Sequence, residues 1–97
     1  MTNIVTMLGG HWPQWYGQLG MEFVYIRIRY GECYIGVGRD HNQAENKSVL
    51  VKEDASMEGV TDITDAIEQL RLNGFHIKSI IIPEHVEEVD YPPLTTH

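Results

Sequence analysis

The sequence is poor in cysteine and in basic side chains: Cys33 stands alone, and seven lysines and arginines face 14 aspartates and glutamates. One cysteine excludes an internal disulfide and a cysteine-rich structural zinc site, so nothing in the chain requires an oxidising compartment. Cys33 itself reads as a small buried hydrophobe. No apolar run approaches the ~20 residues of a membrane span. The opening MTNIVTML has neither the basic start nor the apolar length of an export signal, which leads us to expect a cytoplasmic protein that contacts no membrane. Without a secretory signal, Asn46-Lys47-Ser48 reads as a chance match to a glycosylation sequon. Internal repeats and low-complexity tracts are also missing. Catalytic patterns are lacking as well: no GxSxG, HExxH or P-loop occurs. The five histidines, His11, His41, His76, His85 and His97, sit at no metal-ligand spacing. The expectation is a non-enzyme with no metal and no cofactor.

What is present fits one domain. Its 97 residues are 42% hydrophobic and 22% charged, enough for a core without cross-links. Residues 22–30, EFVYIRIRY, alternate as a strand, with Val24, Ile26, Ile28 and Tyr30 on one face and Phe23, Tyr25, Arg27 and Arg29 on the other. Gly31-Glu32 predicts a hairpin turn, and residues 33–37 the returning strand. Residues 3–8 suit a short first strand or an extended arm, and residues 48–52 a further strand. Residues 75–82 predict a last strand, with Phe75, Ile77 and Ile81 on one face and His76, Lys78 and Ile80 on the other, ended by Pro83. The fold expected is α+β: a small antiparallel sheet of about four strands with one main helix packed on it. Residues 84–97 add Glu84, Glu87, Glu88 and Asp90 before Tyr91-Pro92-Pro93; they either continue a negative face or form a mobile acidic tail.

Charge is divided unevenly. Residues 1–52 carry four acids and five bases, whereas residues 53–97 carry ten acids and two bases, a net +1 against −8. Within residues 53–68, EDASMEGVTDITDAIE, six carboxylates stand with no base: Glu53, Asp54, Glu58, Asp62, Asp65 and Glu68. Like charges gathered in this way repel one another in the free protein, so the imbalance speaks of a basic partner more than of the fold. The helix inside this stretch is marked by Ile63, Ala66, Ile67 and Leu70 at i, i+3, i+4, i+7. Thr61 or Asp62 suits its cap, Asp62 and Asp65 suit its positive pole, Arg71 suits the other, and Asn73-Gly74 suits its end. If residues 54–61 also coiled, Asp54, Glu58, Asp62 and Asp65 would align in one row. Carboxylates three or four residues apart rise by ~4.5–6 Å, against ~3.4 Å between phosphates of one DNA strand, so such a row imitates a phosphate track coarsely. Capping and solubility account equally well for Asp62 and Asp65 taken alone.

Residues 11–20, HWPQWYGQLG, predict a loop crowded with rings. Trp12, Trp15 and Tyr16 are either a docking surface or a lid folded back on the sheet. With no basic residue nearby, they make no nucleic-acid stacking platform. Arg27 and Arg29 are expected to pair across the sheet with acids such as Glu22 or Glu32. Gly36-Val37-Gly38 lacks the third glycine of a dinucleotide loop, and no helix is expected after it. Residues 39–47 read as a polar loop. Asp40, Asn42 and Glu45 resemble a calcium loop only in part, since the turn glycine is missing and Val51 stands where the closing glutamate belongs.

In length, in charge and in the run MTNIVTMLGGHWPQWYGQLG, the chain resembles the small phage-type anti-CRISPR proteins, specifically the DNA-mimic inhibitors of the type I-F CRISPR surveillance complex. The resemblance implies a partner-binding acidic surface set against the basic DNA path of the Cas proteins in that complex, blocking target DNA without touching nucleic acid itself. It transfers no residue, because these families share no motif. The phosphate substitutes named are those of the charge reading, with Trp12, Trp15 and Tyr16 as candidate neutral contacts. The rival expectation is an acidic antitoxin or phage assembly protein that neutralises another basic protein.

Overall fold

The computed structural model describes residues 3–59, 62–82 and 84–94. It corrects the fold expected from the sequence: in place of about four antiparallel strands there is one mixed sheet of seven, in the order β5-β4-β3-β2-β1-β6-β7. The strands are β1 Ile4–His11, β2 Gln14–Leu19, β3 Glu22–Arg29, β4 Glu32–Gly38, β5 Val49–Glu53, β6 His76–Ile82 and β7 His85–Tyr91. Two α-helices, α1 His41–Asn46 and α2 Ile63–Leu72, and a 3-10 turn at Ala55–Met57 complete the elements. Only β1 and β6 run parallel; the other neighbours are antiparallel.

The additional strands have identifiable causes. Residues 14–19 were hidden by Gly17 and Gly20, yet β2 pairs along its whole length with β3, placing Trp15 opposite Ile26 and Tyr16 opposite Tyr25. Gly17 is needed there because a Cβ would meet Val5 Cγ1 at 2.7 Å and Val24 Cγ1 at 2.8 Å. The ring-rich segment is therefore a hairpin, not a loop. At the other edge, β7 has no buried residue. Its acidic sequence shows none of the alternation that marks a half-buried strand, and main-chain pairing with β6 is what orders it. Pro83 lies outside the described residues, as does Thr61.

The core fills the face beneath α2. Ala66, Ile67 and Leu70 of α2 pack with Val5, Met7, Trp15, Val24, Ile26, Ile28, Cys33 and Ile77 from five strands. The periodicity of α2 thus finds its target, and burial of such side chains is worth roughly 1.5–3 kcal/mol each. Asp62 caps the helix, accepting from Thr64 N at 3.0 Å. On β6 the expected faces hold only up to Ile77. Between β1 and β6 the register passes from Val5↔Ile77 to Thr6↔Ser79, leaving Lys78 as an extra residue. A bulge of this kind reverses the alternation. Ile80 consequently packs against the core, while Ile81 is exposed.

The opposite face carries α1, where the sequence suggested a polar loop. Asp40 caps it by accepting from Gln43 N at 2.8 Å. Gly36 and Gly38 let its backbone lie directly on β4: a Cβ on Gly36 would stand 2.0 Å from Ala44 O, and one on Gly38 would stand 2.5 Å from Ala44 N. The two glycines serve close packing of helix on strand, and a helix does follow them. Among the described residues no helix is long and apolar enough to cross a membrane.

Candidate functional site

The acidic stretch runs from one edge of the sheet across to α2. Glu53 ends β5 opposite Glu32 of β4, an acid facing an acid across the strands. Asp54 caps the 3-10 turn by accepting from Ser56 N at 2.9 Å, and the hydrogen bonds it accepts from Ser56 hold its carboxyl below the usual carboxylate range. The continuous helical row does not form: Glu58 has extended backbone after that single turn, Gly59 takes φ +85°, and α2 begins only at Ile63. Asp62, Asp65 and Glu68 belong to α2 and its cap. The first three carboxylates reach the same region through β5 and the turn.

Between α2 and the turn lies a recess of about 240 Å³, bordered by Lys52, Ser56, Met57, Asp65, Glu68 and Gln69. Gln69 is 6% exposed, and its side-chain oxygen has no hydrogen-bond partner. A buried carbonyl oxygen without a donor costs about 1–3 kcal/mol. The only ion pairs among the described residues are His76–Asp90 and Lys78–Asp90, so Lys52 neutralises neither Asp65 nor Glu68. The recess brings two carboxylates and the Lys52 ammonium together beside a buried acceptor, and with neither carboxylate ion-paired it can take a further ammonium or guanidinium.

The aromatic residues separate. Trp15 is a core residue, 1% exposed, and makes no surface contact. Tyr16 lies half-buried on the face away from α2, where its hydroxyl donates to Glu45 and its ring stacks on His41 with centroids 4.5 Å apart. That hydrogen bond, with burial and the Glu45 charge behind it, pushes the Tyr16 phenol up to about 12. Trp12 alone of the three reaches the acidic region: it is 42% exposed and shares a shallow concavity with Arg29, Tyr30 and Glu58.

There the Arg29 guanidinium lies 5.8 Å from the Trp12 ring centroid and 4.6 Å from that of Tyr30. It also donates to the Tyr30 hydroxyl at 2.8 Å. Tyr30, 74% exposed, holds φ +56° in the two-residue turn between β3 and β4. Such a turn needs positive φ at both central residues and normally employs asparagine or glycine. An aromatic residue stands there at a backbone cost with little of it buried, so packing within the free protein does not account for it. Tyr30 was placed on the sheet face by the alternation of β3, which stops one residue earlier; its positive φ could not be seen in the sequence.

The expected pairing of Arg27 and Arg29 with acids does not occur among the described residues. Glu32 stands opposite Arg29 in register, but the guanidinium turns to the two rings instead. Asp40, Asn42 and Glu45 are spent on capping α1, on its exposed face and on Tyr16. Among the described residues no three His, Cys, Asp or Glu side chains gather as metal ligands would. Cys33 is fully buried, and burial pushes its thiol up to about 11, away from the thiolate a nucleophile needs. Compared with known proteins, the chain matches no family model, no curated protein and no solved structure.

Proposed function

We propose that this chain is a non-enzymatic inhibitor that docks its acidic surface on a basic, DNA-binding surface of another protein, as an anti-CRISPR of the DNA-mimic type does on the Cas proteins of a type I-F surveillance complex. The observation that carries this reading is the recess beside α2, in which the buried, partnerless Gln69 oxygen stands next to Asp65 and Glu68. A lysine or arginine of the partner entering this recess would pair with the two carboxylates, neither of which has an ion-pair partner in the free protein. Glu53, Asp54, Glu58 and Asp62 extend the negative field around this anchor and steer the encounter. Trp12, Arg29 and Tyr30 supply a neighbouring contact of low net charge, of the composition that dominates interface energetics.

The test is a gel-shift competition. A guide-loaded type I-F complex is mixed with its target duplex, with and without this protein, at two salt concentrations. We expect loss of DNA binding that weakens as salt rises, because the acids compete for the same cationic groups as the phosphates. The pair Asp65→Asn and Glu68→Gln should lower inhibitory potency by about tenfold or more, as removal of charge-assisted contacts does. Full DNA binding at saturating wild-type protein would overturn the reading and move attention to the antitoxin or assembly-protein alternative.

A further inference from the structure

A concavity of about 680 Å³ lies on the other side of the sheet from α2, between the strands and α1. The acidic surface does not explain it. Arg27, Tyr25 and Tyr34 line it from β3 and β4, Gln14 from β2 and Glu45 from α1. In register, Arg27 stands between Gln14 and Tyr34, at the centre of this group. In a chain with 14 acids, its half-buried guanidinium has no carboxylate within 4 Å among the described residues. The Nε of Arg29, on the same wall, is buried without a partner.

Two acids, Glu32 and Glu45, also border the concavity, but neither pairs with these charges. Glu45 accepts from Tyr16, and Glu32, although opposite Arg29 in the ladder, makes no ion pair with it. The other polar groups are set as a ligand site requires. Gln14 uses its oxygen to accept from the Tyr25 hydroxyl at 2.9 Å, which fixes the amide and leaves its NH₂ to donate into the concavity. Asn46 and Ser48 border the same space.

A planar guanidinium recognises a phosphate or carboxylate with two parallel hydrogen bonds. Tyrosine side chains accept flat rings, and amide and hydroxyl groups read ring edges. Nucleotides join an anion, a flat ring and a polar ring edge in one small molecule. The volume lies inside the ~300–1,000 Å³ of small-molecule sites, and the net −7 of the chain disfavours a long polyanion over a single charged unit. From these observations we infer that the β2–β3–β4 face is a binding site for a small nucleotide, with Arg27 on its phosphate, Tyr34 and Gln14 around its base, and the buried Tyr25 holding Gln14 in place. Arg29 and Tyr30 border both this concavity and the Trp12 contact, but the concavity at Arg27 and the recess at Gln69 share no lining residue, so either site can fail without the other.

The test is a titration of the full chain, followed by amide NMR and calorimetry, with adenosine monophosphate, adenosine, inorganic phosphate and a short single-stranded oligonucleotide. The nucleotide should bind saturably, at least about tenfold tighter than adenosine or phosphate alone, since each of those lacks one set of contacts. Perturbed amides should cluster at Gln14, Arg27 and Tyr34. Arg27→Gln should weaken binding by about tenfold or more, and Arg27→Lys, which keeps the charge and the stem but not the planar fork, should fall between. If Arg27→Gln fails to fold, the lysine variant carries the comparison. The inference is overturned if nothing saturates at millimolar concentration. It is equally overturned if phosphate binds as tightly as the nucleotide, if both Arg27 variants bind like wild type, or if only the oligonucleotide binds.

Discussion

At the scale of single residues, position decides what a side chain is for. Trp12, Trp15 and Tyr16 fall within five residues of one another, yet one is exposed beside Glu58, one is core, and one is bonded to Glu45 on the opposite face. Strand alternation accounts for the split between Trp15 and Tyr16. Tyr16 also yields a direct test. Its phenol is raised from an ordinary ~10 to about 12, so the neutral form is favoured by folding. Its contribution is complete below pH ~10 and is lost as pH rises from there through the folded value. A spectroscopic titration should show one of the five tyrosines ionising near pH 12. In Tyr16→Phe that late step should vanish, with roughly 1 kcal/mol less stability at neutral pH by chemical denaturation.

At the scale of elements, α1 and β7 are the pieces that local pattern did not reveal. Residues 41–46 are polar and short, so no apolar stripe announces a helix there. What holds α1 is the Asp40 cap, the burial of Ala44 and the glycine floor of β4. Gly36→Ala should therefore lift α1 off the sheet and cost about 1–3 kcal/mol as an overpacking change, read as a lower urea midpoint. The strand β7 depends on pairing and on Asp90, whose carboxyl lies 2.6 Å from His76 Nε2 and 3.5 Å from Lys78 Nζ. The hydrogen bond with His76, and after it the Lys78 charge, hold the Asp90 carboxyl below the usual range. A lowered folded pKa means that the stabilisation is present above ~3.9 and is lost as pH falls from there through the folded value. The acid limb of a stability-versus-pH curve should accordingly be shallower in Asp90→Asn than in wild type. An equally steep limb would show that Asp90 contributes nothing to holding the edge strand.

At the scale of the whole molecule, the sheet has two sides with different chemistry, and the acidic stretch connects them along one border. Glu53 opposite Glu32 is a like-charge pair across β4 and β5, an arrangement that weakens a sheet. Glu53→Gln should raise stability by a few tenths of a kcal/mol in denaturant titrations while lowering the affinity for a basic partner. If the substitution destabilises the protein, Glu53 is structural and does not belong to the proposed surface.

Taken alone, the sequence determined α2, the β3–β4 hairpin, the alternation that buries Val24, Ile26 and Ile28, and the concentration of negative charge in residues 53–68. Each of these is written in neighbouring residues, through a period of 3.6 or 2, a turn dipeptide, or a charge count. The tertiary structure alone decided the number of strands, because β2 and β7 are ordered by main-chain pairing with the strands beside them, β1 and β3 for one and β6 for the other, and not by an alternation in their own residues. It alone decided the reversed faces of β6, because one bulge residue, Lys78, shifts everything after it. The recess at Gln69 and the concavity at Arg27 were likewise beyond local reading. An unpartnered group is defined by what fails to come near it, and only the folded chain settles which side chains approach one another.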